Sequence, residues 1–340
     1  MGDEERAKAA TIFDVARLAG VSHQTVSRVL NDLPNVRPAT RERVERAIKQ
    51  LRYIPSPAAR ALVTRRSRMI GLITIGAPDF GGGMTTAYFN EAAREERYAV
   101  VMASLLQADM ASLRQAAEVL VRQNVEAIVM ITSNRSSLGI VESMELGVPF
   151  VAVASQGAGL HRVSVDLMAG ARRAVRHLTD LGHVQIRHLA GPGESMDATE
   201  RVRGWREALS EHGLVAQEPL IGDWSANSGY LNARELITQG DFTAIFAGND
   251  LMALGAIHAL GEAGLRVPQD VSIIGFDDIP EAQHFAPPLT TMRQDFAQLG
   301  RDTMEVVLAV LRDEEVGNPI LRVPALMVRA STGPAAPRPH

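Results

Sequence analysis

At 340 residues and 46% hydrophobic composition, the chain has room for two or three domains with full cores, which excludes a wholly disordered protein. It contains no cysteine, so a disulfide scaffold, a thiolate metal centre and a cysteine nucleophile are excluded as well. The formal net charge of -4 hides a division: residues 1–68 carry 14 Lys and Arg against 7 Asp and Glu, and the remainder carries 21 against 32. A basic N-terminal fifth on an acidic body suits a module for a polyanion, although a solvated basic face has the same composition. Met1 to Ala10 are charged and alanine-rich, with no apolar stretch behind them, so no secretory signal is expected. No run approaches the ~18 apolar residues of a membrane helix. The expectation is a soluble, cytoplasmic protein with a disordered tail over residues 1–10 and no membrane partner.

Three short helical patterns then follow. Thr11-Ile12-Phe13-Asp14 has the form of a capping box, a hydroxyl followed three residues later by an acid. Ile12, Val15, Ala16 and Ala19 recur at helical spacing, and Gly20 supplies a turn needing positive φ. Ser22 is placed to cap a second helix whose apolar face is Val26, Val29 and Leu30. Helix, short glycine turn and helix make a helix-turn-helix pattern. A third helix is predicted from Pro38 to about Leu51, with Val44, Ala47, Ile48 and Leu51 as its buried stripe. The second helix keeps His23, Gln24, Ser27 and Arg28 on its polar side. Glutamine can bond adenine through two atoms, and arginine can grip guanine through O6 and N7. Arg37, Arg41 and Arg52 suit phosphates, which position a protein without reading sequence. Spacing alone leaves a small three-helix bundle with a polar surface as the alternative.

The run from Ile12 to Asn31, IFDVARLAGVSHQTVSRVLN, resembles the signature of the lac and galactose repressor family of bacterial transcriptional regulators. Thr40-Arg41-Glu42-Arg43-Val44 and Tyr53-Ile54-Pro55 continue the likeness, which extends from about residue 11 to 332. It implies a DNA-binding headpiece over residues 11–55, reading operator DNA through Ser22, His23, Gln24, Thr25, Ser27, Arg28, Asn31 and Tyr53. His23 departs from the lac-type pattern, which has tyrosine there, so the operator is expected to be related to the lac operator without being identical.

Beyond the headpiece, Tyr53-Ile54-Pro55-Ser56-Pro57 breaks the helical pattern, because the residue before a proline is pushed towards extended geometry. Ser56 and Pro57 then open Ala58–Val63, far shorter than the ~12–15 residues that an isolated helix needs in water. By its residues this is a linker, or a helix that forms only with a partner. The resemblance implies the second, a hinge helix within residues 56–68. It would pair with its dimer mate in the minor groove and wedge Leu62 between base pairs, with Ala59 and Ala61 allowing close approach.

From Met69 the chain alternates short apolar runs with amphipathic helices, the pattern of parallel α/β sheets with helices on both faces. Candidate strands are Ile70–Ile75, Ala99–Ser104, Ala127–Ile131 and Phe150–Ala154. A second set is predicted at Val163–Val165, Ile186–Ala190, Ala244–Ala247 and Val271–Gly275, with helices such as Ala169–Leu181 and Asn227–Gln239 between strands. So many strands fit two lobes facing across a cleft. The resemblance implies a core over residues 69–333 like that of periplasmic sugar-binding proteins. Its N-lobe would comprise about 69–165 and 294–323, its C-lobe about 166–293 and 324–333, with crossings near Val165, Arg293 and Val323. Residues 334–340 form an expected disordered tail. That tail lacks the heptads of the tetramerising coil found at the end of one family member, so a homodimer is expected.

Ligands in such sheets lie beyond the carboxyl ends of the strands, which selects Ile75, Gln107, Ile131, Asn249 and Asp277. Trp224, one of only two tryptophans, offers an aromatic face for the C–H face of a sugar ring. The resemblance implies a sugar pocket lined by Arg201, Trp224, Asn249, Asp277 and Gln294, with Asp197 and Phe296 alongside. The other lobe departs from the galactoside-binding pattern. Gln107, Ile131 and Ala154 replace an arginine, an asparagine and an aspartate, so a sugar or glycoside is implied and a galactoside is not.

Signs of an enzyme are weak. Asp79-Phe80-Gly81-Gly82-Gly83 lacks the ending of a phosphate loop and is taken as a mobile loop at the cleft mouth. Asp277 and Asp278 are adjacent on a strand end and point apart, unlike a glycosidase pair. His183 and His188 lack a third metal ligand, and no serine occupies a G-x-S-x-G elbow. The sequence thus predicts a sugar-responsive transcriptional repressor without catalytic residues, cofactor or metal. Its partners are operator DNA, a small sugar or glycoside, and a second copy of itself. A corepressor-dependent regulator and a sugar-binding receptor with no DNA role are the alternatives.

Overall fold

The computed structural model describes residues 10–30, 33–53, 66–76, 79–107, 109–157, 161–317 and 321–335. The chain forms two compact units, Met1–Arg68 and Met69–His340. Most of the expected tails, residues 54–55 at the end of the expected headpiece and residues 56–65 of the expected hinge, Ala59 and Leu62 among them, lie outside the described residues, as does Asn31.

The first unit contains α1 (Ile12–Ala19), α2 (His23–Leu30) and α3 (Pro38–Leu51). Local chemistry sets each boundary. The Thr11 hydroxyl donates to Asp14 Oδ2 at 2.7 Å, and Thr11 N donates to the same oxygen at 3.0 Å, completing the capping box. Gly20 ends α1 at φ 63°, a conformation that costs a residue with a Cβ about 1–2 kcal/mol. Thr25 N donates to Ser22 Oγ at 3.2 Å and starts α2. Val15, Ala16, Ala19, Val26, Val29, Val44 and Ala47 close a small common core.

The second unit holds two sheets. The first comprises β1 (Met69–Ile75), β2 (Ala99–Leu105), β3 (Ala127–Ile131), β4 (Phe150–Val153) and β5 (His161–Val163) in the order β2-β1-β3-β4-β5, all parallel. The second comprises β6 (Ile186–Ala190), β7 (Leu220–Ile221), β8 (Ala244–Ala247), β9 (Ser272–Asp277), β10 (Thr290–Arg293) and β11 (Ala325–Met327). Its order is β11-β10-β9-β8-β6-β7, parallel except for the antiparallel edge strand β11. The remaining helices are α4 (Phe80–Glu95), α5 (Met110–Arg122), α6 (Arg135–Glu142), α7 (Leu167–Asp180), α8 (Met196–Glu211), α9 (Ala226–Gln239), α10 (Asp250–Glu262) and α11 (Phe296–Leu311).

Each sheet is covered on both faces, and the strands show why. Ile70, Leu72, Val129 and Val151 face one core of the first lobe, which Phe89, Met304 and Val307 complete from α4 and α11. Ile73, Ile128, Met130 and Ala152 face the other, under α5 and α6. Ile245 and Ile273 likewise point to one core of the second lobe, and Phe246, Ile274 and Phe276 to its opposite. Strands buried on both faces read as continuous apolar runs, which made them legible.

The chain passes between the sheets after β5, after β10 and before β11, and a bridge from Val165 to Arg322 ties two of these passages. The lobes also meet at a bridge between Asn134 and Ser195, beside which Met196 of α8 is buried in the first lobe's core. Two expectations need correction. The strand predicted at Val163–Val165 as part of the second set is β5, at 161–163, and pairs with β4 at the edge of the first sheet. Strands β7, β10 and β11 were not anticipated, because two to four residues carry too little alternation to stand out.

Helices α9 and α10 pack closely through glycine. A Cβ at Gly255 would lie 1.9 Å from Ala226 O, and one at Gly229 2.1 Å from Met252 O. Gly255→Ala is expected to force the helices apart and cost about 3 kcal/mol, seen as a lower urea midpoint for the core. An unchanged midpoint would mean that this contact carries no packing constraint.

Candidate ligand cavity and nucleic-acid interface

Nine of the ten residues expected to touch an effector line a single cavity of about 400 Å³ at the carboxyl ends of both sheets. They are Ile75, Ile131, Asp197, Arg201, Trp224, Asn249, Asp277, Gln294 and Phe296. Gln107 is the exception: it is exposed just past the end of β2 and outside this lining.

Arg201 lies one helical turn beyond Asp197 on α8 and is 5% exposed. Its Nη1 donates to Gly248 O at 2.9 Å, and its Nη2 donates to Asp277 Oδ1 at 3.4 Å. The guanidinium carbon is 4.2 Å from the Phe276 ring centroid and 5.1 Å from that of Trp224. Its Nε is buried and has no hydrogen-bond partner among the described residues. A buried donor without an acceptor is costly, so a ligand oxygen here would relieve a deficit.

Asp277 Oδ1 also accepts from Gln294 Nε2 at 2.7 Å. The chain turns sharply at the end of β9, with φ 104° at Asp277 and 57° at Asp278. The two carboxylates therefore diverge. Asp278 accepts from Arg293 Nε and Arg329 Nη2, each at 2.6 Å. Burial pushes the Asp277 carboxyl up to about 6, against the opposing pull of Arg201 and Gln294. Burial raises Asp197 as well.

Trp224 sits at φ 72°, an unusual value for a bulky residue. Its carbonyl accepts from Asn249 Nδ2 at 3.0 Å, while Asn249 Oδ1 accepts from Met252 N at 2.8 Å and caps α10. The Asn249 carboxamide thus builds the wall that Trp224 occupies. The indole lies against Gly191 and Gly248, where a Cβ would come within 2.1 Å and 3.0 Å of the ring.

The facing wall sets Ile75, Ile131, Ala154, Phe80 and Phe296 among polar residues such as Asp79, Ser104, Thr132 and Ser155; the two phenylalanines meet edge-on with centroids 5.7 Å apart. Phe80 was missed because Asp79–Gly83 was expected to be a mobile loop. Instead Asp79 Oδ1 accepts from Gly82 N at 2.6 Å and caps α4, so the three glycines form its first turn. An aspartate three residues before a capped amide was the available signal. Asp250 was missed too. It accepts from the Thr291 hydroxyl and from Ile279 N at 2.8 Å, which joins α10 to β10 and to the segment after β9. Burial first, and then Asp277, pushes its carboxyl well above the usual range.

His183 and His188 have structural partners. His183 contacts Thr243 Oγ1 at 2.9 Å and Ser272 Oγ at 3.0 Å, and His188 Nδ1 lies 2.9 Å from Phe246 O. Among the described residues no group of three His, Asp or Glu is placed to hold a metal ion, and no helix is long and apolar enough to cross a membrane.

In the headpiece Ser22, His23, Gln24 and Arg28 are exposed, while Thr25 and Ser27 are half-buried. Thr25 Oγ1 is 3.0 Å from Ser22 Oγ, so both hydroxyls serve the helix start. Tyr53 is half-buried against the three-helix core.

The pattern of bacterial regulatory proteins of the lacI family matches residues 11–56, and that of a periplasmic binding protein-like domain matches residues 175–332. The lactose operon repressor of Escherichia coli strain K12 is 34% identical over 340 residues, covering 97% of this chain and 94% of that protein. The chain belongs to the lacI family. A lac repressor dimer bound to operator and the anti-inducer ONPF matches this lacI-family chain with a TM-score of 0.86 and 33% identity, over 96% of this chain and 100% of that one. A complex of the transcriptional regulator CelR with cellobiose matches with a TM-score of 0.70 and 32% identity, over 95% and 99%. Headpiece and two-lobed core thus carry the family fold that the sequence implied.

The titration of Asp277 has a signed consequence for this lacI-family core. The folded chain keeps the proton up to about pH 6, whereas an unfolded chain loses it near 3.8. Stability from this group therefore falls as pH rises from about 4 to about 6 and levels off above. Subtracting urea-unfolding energies of Asp277→Asn from those of the wild type should give a difference that declines through this window. A difference that rises instead would mean that Arg201, and not burial, governs the carboxyl.

Proposed function

We propose that this lacI-family chain is a homodimeric transcriptional repressor acting in the cytoplasm. A sugar or glycoside bound in the core cavity lowers its affinity for operator DNA. The observation that carries this reading is the convergence of Arg201, Asp277, Gln294 and Trp224 on one cavity, in a chain whose basic end bears a helix-turn-helix. A guanidinium, a carboxylate and an amide suit vicinal hydroxyls, and an indole face suits the C–H face of a pyranose. His23, Gln24 and Arg28 read the major groove, and Arg37, Arg41 and Arg52 meet phosphates. The domain division follows: headpiece 11–55, hinge and linker 56–68, core 69–333. Within the hinge, Ala59 and Leu62 approach the minor groove, and sugar binding separates the paired hinges, an order–disorder switch.

Binding without turnover accounts for the cavity. Asp277 is engaged by Arg201 and Gln294, and Asp278 is directed away to Arg293 and Arg329, so these two adjacent carboxylates do not face each other across a scissile bond. The first-lobe wall sets Asp79, Thr132 and Ser155 among its apolar residues, so these polar groups and the wall's shape select the particular sugar.

The deciding experiment is binding of the full chain to a lac-like palindromic DNA at two salt concentrations, with and without galactosides and cellobiose. Affinity should fall about a thousand-fold between 50 and 200 mM salt when six or more phosphates are contacted. One of the sugars should release the DNA, and the same factor should weaken sugar binding when operator is saturating. Sugar affinity unaffected by operator would defeat the switch, and DNA binding that requires added ligand would make the protein corepressor-dependent. Asp277→Asn should weaken sugar binding at least about ten-fold, the loss of one hydrogen bond to a charged group, with operator affinity retained. Sedimentation should show a dimer; a stable tetramer would contradict the assembly.

A further inference from the structure

The headpiece presents an aromatic pair on its surface. Phe13, the second residue of α1, is 60% exposed, and its ring centroid is 5.2 Å from that of His23, the first residue of α2, at an interplanar angle of 46°. Both backbones are held at this distance by local chemistry. The Thr11–Asp14 capping box fixes the first turn of α1, Ser22 fixes the start of α2, and Val15, Ala16, Ala19, Val26 and Val29 lock the helices together. The His23 ring leans on Phe13, and among the described residues its nitrogens take part in no hydrogen bond. The imidazole thus rests tilted against the phenyl ring while its polar edge is left for an outside partner. Phenylalanine has no hydrogen-bonding group with which to read a base edge itself.

We infer that Phe13 is a positioning residue for sequence readout: it holds the His23 ring in one orientation before DNA arrives, so that discrimination at one base pair of each half-site depends on a side chain in the other helix. This rests on the DNA-binding reading above. The physical basis is preorganisation. A free imidazole at a helix start samples several rotamers and loses that freedom on binding, whereas a packed ring has lost it already. A base-edge hydrogen bond is directional, so a ring free to turn bonds right and wrong bases more equally.

The test uses the full chain and a library of lac-like palindromes in which each half-site position is varied in turn, with affinity measured for every base. The wild type should discriminate at one position that His23→Ala flattens. Phe13→Leu, which keeps an apolar helix former, should lower discrimination at that position by about three- to ten-fold and leave the other positions unaltered. Phe13→Tyr should restore it, because the ring is kept. In the His23→Ala background, Phe13→Leu should change nothing further. The inference is overturned if Phe13→Leu weakens all sequences equally, or if its effect persists without His23, since Phe13 would then act through folding or by touching DNA itself. A wild type that binds no member of the library would remove the DNA-binding reading, and this inference with it.

Discussion

A buried guanidinium is the constraint around which the core cavity is arranged. Arg201 supplies it. A guanidinium is a strong cation, and one taken out of water without compensation destabilises a fold by several kcal/mol. Its surroundings supply that compensation piece by piece: the Asp277 carboxylate, the Gly248 carbonyl, and the π faces of Phe276 and Trp224. They come from three different places in the chain. Asp277 ends β9, Gly248 follows β8, and Trp224 precedes α9 in a left-handed conformation that Asn249 secures. The one unsatisfied position, Nε, belongs to a residue that lines the cavity. Structural compensation and ligand recognition thus use the same set of side chains.

The glycines around this site follow from the same crowding. Gly191 and Gly248 leave room for the indole, and a Cβ at Gly275 would lie 2.2 Å from the buried Asp250 carboxylate. Asp250 in turn anchors Ile279 N, just beyond the turn that aims Asp277 and Asp278 in different directions. Asp277, Asp278 and Trp224 hold positive-φ backbone at or beside the cavity, and the packing of the second lobe keeps them there. The first lobe contributes differently. Its wall sets Ile75, Ile131, Ala154, Phe80 and Phe296 beside Asp79, Ser104, Thr132 and Ser155, a surface of mixed character.

How far the molecule was legible depended on the range of the interactions involved. The headpiece was readable because its signals are local: Thr11 with Asp14, Gly20 in the turn, Ser22 ahead of α2, Pro38 in the first turn of α3. The main strands were readable because burial on both faces leaves continuous apolar runs. Short edge strands were not, since β7, β10 and β11 owe their existence to neighbours already in place. The first turn of α4 was misjudged for a related reason. Three glycines weigh against a helix, yet one aspartate cap and packing against α11 suffice to keep it.

The sequence by itself determined the order of modules and the helix-turn-helix with its exposed His23, Gln24 and Arg28, which depend on spacing, capping and composition acting within a few residues of the chain. The polar residues of the cavity were named through the resemblance to the family. Only the tertiary structure decided that Arg201, Asp277 and Gln294 share one hydrogen-bonded cluster and that Gln107 falls outside the cavity. It alone showed Asn249 serving as a brace for Trp224, and the Phe13 ring in tilted contact with His23. These outcomes depend on where strand ends and helix starts, far apart in the chain, meet in space. Periodicity carries no information about that meeting, because side-chain direction at a strand end is set by the packing of the sheet and helices around it.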